Sequence, residues 1–291
     1  MSVAAPSRLI AVTTRSRLRS LRFLPVMLLA TWRVRRQLGR APGIVRWASV
    51  VAGPREFWTL TVWRSRHDMQ EFMRSGAHGE IMWQLPRWLR SFWLMRWRPG
   101  ERELGSWAGV ELAVPRPQAS ASPRSPRALA DALPCLRDAL DETGRLSYDS
   151  SPLVRRSRAH LTGAAGAVVR VRTSPSRLPG ALRALRRLRR LLRTDEALLR
   201  AVVGIGGVRE CYLFGVWSEE SGAARLLEGA WARAARTRWG AGFWAHEWLP
   251  ENEFGHWDGL RVRAERRLRA RRPRARGSGA GRPPASPPRS R

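Results

Sequence analysis

The sequence contains very few cysteines, which bears on both disulfides and metal sites. Only Cys135 and Cys211 occur among its 291 residues, and neither lies in a CxxC or another metal-type spacing. The cysteines therefore indicate neither a disulfide framework nor a zinc site. We predict no bound metal.

Long apolar runs are also missing. The most apolar stretch, "FLPVMLLATW", covers ten residues and contains Pro25. It is too short to cross a bilayer. The amino terminus shows no apolar core followed by a small-residue cleavage site. We expect a cytoplasmic protein, with peripheral membrane association as an open alternative.

Lysine is absent, so all 54 basic residues are arginine and the net charge is +31. Five arginines, at positions 186, 187, 189, 190 and 193, form one side of a predicted amphipathic helix. The stretch 263–291, which ends "RRPRARGSGAGRPPASPPRSR", is predicted to be a disordered basic tail. This helix and the tail could bind an anionic membrane surface or simply remain solvated. Nucleic acid is the weaker alternative, because no recognised binding module is present.

Tryptophan, in contrast, is abundant, and it repeats. The stretch "SFWLMRWRPGERELGSWAG" begins at Ser91, and "GFWAHEWLPENEFGHWDG" begins at Gly242. Three Trp, two Gly, one Phe and one Pro recur between them at offsets of 151 and then 150. This self-similarity indicates an internal duplication.

The segments around both stretches follow the same order of predicted elements. Each half is predicted to be βαββαβ, the ferredoxin-like order, in an α+β protein. A sheet of this kind has helices on one face and must cover the other. We therefore predict two ferredoxin-like repeats packed sheet to sheet, as an intramolecular dimeric α/β barrel. The predicted units are 1–114 and 161–262, joined by a Pro/Ser/Arg-rich linker at 115–160.

The motifs "RSGAH" (74–78), "GIGGV" (204–208) and the closing "GxWxG" of each repeat resemble those of the dimeric α/β-barrel superfamily. Within it, the chain is similar to spheroidene monooxygenase-like and antibiotic-biosynthesis monooxygenase-like proteins. The resemblance implies oxygenation of a large apolar molecule with dioxygen, either without a cofactor or with haem. This activity is inferred from the resemblance, since a shared fold does not by itself establish a reaction.

Two histidines are the candidate catalytic residues. His78 follows a predicted helix break at "SGA", and His246 lies in the strand "FWAHEW" between Trp244 and Trp248. Either imidazole could move a proton near neutral pH or ligate haem iron. Each could equally be a capping or core histidine without a chemical role.

Large aromatic residues on the predicted strands and helices are the candidate pocket lining. Alternation along the last strand places Trp244, His246 and Trp248 on one face. Such rings form either packed core or the wall of an apolar pocket. The predicted lining residues are Trp63, Phe72, Trp93, Trp97, Trp217, Trp244 and Trp248.

Taken together, these features predict a monooxygenase that acts on a large hydrophobic, carotenoid- or polyketide-like substrate. The chain is predicted to be a monomer with two pseudo-symmetric halves. The alternative is a non-catalytic α/β-barrel protein that binds haem or an apolar ligand. An arginine-rich binder of membranes or nucleic acid is a further alternative.

Overall fold

A computed structural model describes residues 9–113, 163–258 and Val262 of the chain. The predicted linker at 115–160 and the predicted basic tail at 263–291 lie outside these residues. The predictions made for both segments therefore stay predictions.

The described residues form eight strands and seven α-helices, and each half follows the order strand, helix, two strands, helical segment, strand. The first half contains β1 (Ile10–Leu18), α1 (Leu24–Leu38), β2 (Ile44–Gly53), β3 (Glu56–Trp63), α2 (Arg66–Arg74), α3 (Gly76–Met82), α4 (Leu85–Trp88) and β4 (Leu89–Gly105). The second half contains β5 (Ala165–Arg172), α5 (Leu178–Leu192), β6 (Leu198–Gly207), β7 (Glu210–Trp217), α6 (Glu220–Glu228), α7 (Ala230–Trp239) and β8 (Phe243–Gly255).

Local chemistry explains several of these boundaries. Pro25 lies in the first turn of α1, where its missing N–H is not needed, so the helix begins there. Ser65 precedes α2, and its hydroxyl accepts a hydrogen bond from the backbone N–H of Asp68 at 3.1 Å. A second helix, α3, begins at Gly76, which confirms the predicted break before His78.

The strands close into one antiparallel barrel in the order β1-β3-β2-β6-β7-β5-β8-β4, and β4 pairs again with β1. The halves meet edge to edge, through β2 with β6 and through β4 with β8. This corrects the expectation of two separate sheets packed face to face. Hydrogen bonding across both seams leaves no unpaired edge among the described strands, whereas an open sheet must protect its edges.

The barrel interior contains buried ion pairs at equivalent positions of the two halves. Arg15 of β1 contacts Glu56 at the start of β3, at 2.7 Å. Arg170 of β5 contacts Glu210 at the start of β7. Both arginines are almost fully buried, so each charge requires its partner.

Indole groups cross the β4–β8 seam in the same reciprocal way. Trp93 donates its Nε1–H to Glu253 at 2.8 Å, and Trp244 donates its Nε1–H to Glu103 at 2.6 Å. Each bond joins one half of the chain to the other. The interior is therefore shared by both halves, and these two indole–carboxylate bonds are equivalent across the seam.

Candidate functional site

A cavity of about 130 Å³ lies outside the barrel, between the outer face of the first-half strands and helices α1 to α3. Its size is close to that of an apolar cavity that holds one benzene molecule, roughly 150 Å³. The cavity is half enclosed, so a longer molecule could project from its mouth. Most of its wall is apolar, with Val12, Val34, Met69, Ile81 and Leu94 among the lining residues.

His78 lies in this wall, near the start of α3. Its Nδ1 is 3.2 Å from the carbonyl oxygen of Met73, at the end of α2. A carbonyl can only accept a hydrogen bond, so Nδ1 must carry the proton and the neutral ring keeps a lone pair on Nε2. The backbone N–H of His78 donates to the side chain of Gln37 at 2.8 Å, which holds the residue against α1.

The surroundings of His78 favour the neutral ring. Burial lowers the pKa of His78 below its usual value, and the hydrogen bond with Met73 opposes this shift only in part. The ring of Phe72 packs against the imidazole, with the ring centroids 4.9 Å apart. His78 is therefore an unprotonated base at neutral pH, within an apolar cavity.

Hydroxyl groups line the sheet side of the same cavity. Thr14 and Thr59 share a short hydrogen bond across β1 and β3, and the indole Nε1–H of Trp63 donates to Thr61 at 2.9 Å. Six hydroxyl-bearing residues line the cavity in all: Ser16, Ser49, Thr14, Thr31, Thr59 and Thr61. A few polar groups in an apolar wall are what orients a small ligand.

The hydroxyl groups are the part of the site that the sequence analysis missed. Their signal appears only when the halves are compared in register. Thr14 pairs with Thr59 across β1 and β3, and the corresponding pair across β5 and β7 is Val169 with Leu213. A single Thr on a strand that faces a helix is common and would not attract attention. The pair becomes informative because the equivalent positions of the second half carry aliphatic residues.

Of the predicted site residues, the cavity brings together the pocket candidates Trp63 and Phe72 and the catalytic candidate His78. Four others lie inside the barrel instead and pack into a dense aromatic core: Trp93, Trp97, Trp244 and Trp248. This corrects their predicted role, because rings that point inward from eight strands fill the interior. A small void of about 30 Å³ lies beside Trp58 and Phe214, with room for about one water molecule.

Trp217, the last predicted lining residue, is buried beneath α6 in the second half. Its ring lies against Gly215 and Gly222, where a Cβ atom would clash with the indole. Its Nε1–H donates to Asp195 at 3.1 Å. Since Gly215 stands where the first half has Thr61, the Trp217 ring can lie flat on the sheet and fill space that is open in the first half.

His246 faces the barrel interior, as strand alternation predicts, and is fully buried. The centroid of its ring is 4.3 Å from that of Trp248. Burial lowers the pKa of His246 to about 4, although backbone groups of Glu247 and Leu112 oppose the shift. The residue is therefore a neutral core histidine, and it lines neither the cavity at His78 nor the small void beside Trp58 within the part of the chain that the structure describes.

Haem fits neither histidine. A porphyrin joins four pyrrole rings in one rigid plane, whereas the cavity at His78 has room for about one ring. His246 is fully buried, and its ring packs against Trp244 and Trp248, which leaves no exposed face for a planar macrocycle. The donor set does not suit a metal ion either, since no group of three or more His, Cys, Asp or Glu side chains clusters within 9–113 and 163–258. In the same part of the chain, no helix combines the length and the apolar character needed to span a membrane.

Comparisons with solved structures find several proteins that resemble this chain at low sequence identity. No protein-family model matches the chain, and no curated protein matches it either. A candidate monooxygenase from Fusobacterium nucleatum subsp. nucleatum is 8% identical, with a TM-score of 0.33, over 86% of this chain and 95% of its own. A candidate monooxygenase from Lactobacillus acidophilus is 5% identical, with a TM-score of 0.31, over 84% of this chain and 95% of its own.

A third match covers a smaller share of the chain. A mutant form of SnoaB, a cofactor-independent oxygenase from Streptomyces nogalater, is 11% identical with a TM-score of 0.27. It covers 31% of this chain and 90% of its own. Values this low assign neither a family nor a reaction to the chain, so its chemistry must be argued from the site itself.

Proposed function

We propose that the chain is a monooxygenase that oxidises an apolar, ring-containing substrate with dioxygen, and that His78 is its general base. The observation that carries the proposal is the His78 imidazole, which lies in the wall of an apolar, hydroxyl-lined cavity, is favoured in its neutral form by burial and binds the Met73 carbonyl through Nδ1, so that Nε2 is left as the basic nitrogen. A positioned base typically contributes a factor of about 10² to 10⁴ to a proton transfer.

The chemistry requires a substrate with an acidic C–H group beside a conjugated ring system. Nε2 of His78 takes the proton, and the resulting carbanion is electron-rich enough to reduce dioxygen directly. A methylene group and one O₂ then yield a ketone and one water: the carbon loses four electrons and dioxygen gains four. The apolar wall keeps bulk water from reprotonating the carbanion.

Met73 and Phe72 act as positioning groups in this scheme. The Met73 carbonyl fixes the tautomer through Nδ1, and the Phe72 ring fixes the plane of the imidazole. The hydrogen-bonded pair Thr14–Thr59 and the Thr61 hydroxyl lie on the opposite wall, where they could hold a substrate oxygen. Because the cavity has room for about one ring, the rest of a large substrate would extend through its mouth.

Anthrone is a suitable probe, since loss of its central methylene proton generates a fully aromatic anion. Its oxidation consumes one O₂ and yields anthraquinone and water. We expect protein-dependent oxygen uptake, and ¹⁸O₂ should place one labelled atom in the ketone. His78→Ala should lower kcat/KM by about 10² to 10⁴. His67→Ala, an exposed histidine one helix earlier, is the matched control and should have no effect.

The pH profile gives a second readout. Because burial lowers the pKa of His78, the rate should stay constant as the pH falls to 6.5, the ordinary histidine value, and should decline only below it. Anthrone that binds without oxygen uptake would support the non-catalytic alternative, an apolar-ligand carrier. Activity unchanged in His78→Ala would refute the assigned role.

We also infer that the two halves are tandem copies of one ferredoxin-like βαββαβ unit. The common element order, the reciprocal Trp93–Glu253 and Trp244–Glu103 bonds and the repeated sequence stretches support this. On this view, the second copy completes the barrel and keeps a solid core, whereas the first copy carries the cavity.

A further inference from the structure

The outward face of α1 is apolar, which is unusual for a helix on a protein surface. Leu28, Leu29 and Trp32 are 53%, 56% and 53% exposed, and Pro25 is exposed as well. These positions recur at intervals of three and four residues, so they form a single stripe. Leu21, just before the helix, extends the stripe and is also exposed.

The fold itself does not require this stripe. Helix α5 occupies the corresponding place in the second half and has the same length of 15 residues. Its sixth and ninth residues are Arg183 and Arg186, where α1 has Leu29 and Trp32. Both arginines are exposed. The apolar stripe is thus particular to the half that holds the cavity.

Positive charge surrounds the stripe. The sequence contains no Asp or Glu before Glu56, whereas α1 and its ends contain five arginines: Arg22, Arg33, Arg35, Arg36 and Arg40. The guanidinium of Arg36 lies 4.8 Å from the centroid of the Trp32 ring. Glu80 of the neighbouring helix α3 pairs with Arg33, but this ion pair is exposed and local.

A second exposed tryptophan lies on the neighbouring helix. Trp83 directly follows α3 and is 88% exposed. It comes three residues after Glu80, so both residues share the side of α3 that faces Arg33 of α1. Two exposed indoles, three exposed leucines and an arginine rim therefore occupy one region of the surface.

We propose that this region, the α1 face (Leu21, Pro25, Leu28, Leu29, Trp32, Arg36 and Trp83), docks on an anionic lipid bilayer. Helices that lie in a membrane interface bury Trp and Leu at the headgroup boundary and place basic residues against anionic lipids. A second copy of the chain fits less well, since a two-fold interface would place the same arginines against each other.

Docking in this orientation has a geometric consequence for the cavity. The opposite side of α1 lines the cavity through Met27, Ala30, Thr31 and Val34. One helix thus separates the cavity from the docked surface, and an apolar ligand dissolved in the bilayer would have a short path to the cavity. The docking proposal goes beyond the oxygenase proposal and does not depend on it.

Vesicle flotation of the full chain tests the proposal, with phosphatidylglycerol/phosphatidylcholine vesicles compared against pure phosphatidylcholine. The key variant is the double substitution Leu29→Arg with Trp32→Arg, which copies the pattern of α5. It raises the net charge from +31 to +33, since each substitution adds one arginine. A surface that binds through apolar insertion should lose at least about tenfold in partitioning, from the loss of two large apolar groups.

The matched control replaces two arginines of α5, Arg186→Gln with Arg187→Gln. We expect less than about a threefold change, although the loss would be far larger if α5 were the docking surface. Both variants alter exposed positions, so their thermal unfolding should match that of the wild type.

Three outcomes would overturn the proposal. If the wild type fails to float with anionic vesicles, no such surface exists. Equal or tighter binding by Leu29→Arg/Trp32→Arg would show attraction by charge alone. A wild-type dimer that becomes monomeric in this variant, measured by light scattering, would assign the α1 face to a second copy of the chain.

Discussion

The outer face of the barrel is packed differently in the two halves, although the inner face contains equivalent ion pairs and indole–carboxylate bonds in both. Under α5 and α6 the sheet presents aliphatic side chains such as Val169, Val171 and Leu213, and the space is filled. Under α1 to α3 the equivalent strands present Thr14, Ser16 and Thr59, and a cavity remains. The same backbone thus supports a solid core on one side and a ligand-sized space on the other.

Two effects account for the difference. A hydroxyl group is smaller and more polar than the methyl groups it replaces, so a Thr or Ser fills less apolar space and contributes less to hydrophobic burial. In the second half, Gly215 also lets Trp217 lie against the sheet, whereas Thr61 occupies the equivalent place beneath Trp63. The first half therefore gives up packing energy at the place where a ligand-sized space lies.

The largest effect should come from the feature that both halves share. Gly105 and Gly255 end β4 and β8 with φ angles of 73° and 75°, and a Cβ atom at either would meet the backbone oxygen of Phe243 or Phe92. Gly105→Ala and Gly255→Ala should each lower the free energy of unfolding by about 4 kcal/mol, through clash and left-handed strain. Urea unfolding measures both. If only one of the two substitutions lowered the free energy of unfolding, the two ends of the β4–β8 seam would not be equivalent.

The second prediction concerns the position where Met95 of β4 corresponds to His246 of β8. Because the pKa of folded His246 is about 4 and the unfolded value is 6.5, the unfolded chain takes up a proton first as the pH falls. Stability should therefore be lost between pH 6.5 and pH 4, by about 3 kcal/mol from this residue.

His246→Met, which copies Met95, should remove that share of the pH dependence. The measurement is the free energy of unfolding of both proteins across the range, compared by slope, because other acidic groups titrate equally in both. Identical slopes would mean that His246 is protonated in the folded barrel.

The third prediction exchanges a residue between the two helices that cover the sheet. Leu185 is the eighth residue of α5 and fully buried, and Thr31 is the eighth residue of α1. Leu185→Thr should cost about 2 kcal/mol or more, since it opens a void in a filled core. The reverse change, Thr31→Leu, should cost nothing or stabilise, because the cavity can receive the side chain. Equal costs in thermal and urea unfolding would mean that both cores are equally full.

Much of the fold follows from local sequence patterns, because those patterns act over short distances. Alternation in "FWAHEW" places Trp244, His246 and Trp248 on the inner face, and the break at "SGA" places His78 at the start of a new helix. Both depend only on neighbouring residues.

The location of the cavity could not be predicted in this way. It depends on how closely α1 approaches the sheet, which is set by side-chain volumes on the four strands and the helices of the first half together. Trp93 and Trp63 look equally suited to line a pocket in the sequence, yet one fills the barrel and the other borders the cavity. The difference becomes visible only when the register of β1 with β3 is compared with that of β5 with β7. This comparison shows that Thr14 stands where the second half has Val169.

The smallest expected effect on stability comes from a double substitution that gives the first half the residues of the second at two cavity positions. It is also the most direct test of the comparison between the halves. Thr14→Val with Thr59→Leu replaces the hydrogen-bonded pair by its counterparts Val169 and Leu213. Removing both partners leaves no unsatisfied hydroxyl group, and the added methyl groups fill the cavity. We expect a gain of about 1 kcal/mol in the free energy of unfolding, together with at least about a tenfold loss of anthrone binding. Thr237→Val, at an exposed position of α7, should change neither quantity. Anthrone binding that survives the double substitution would place the ligand elsewhere, and the hydroxyl groups would then have no role in recognition.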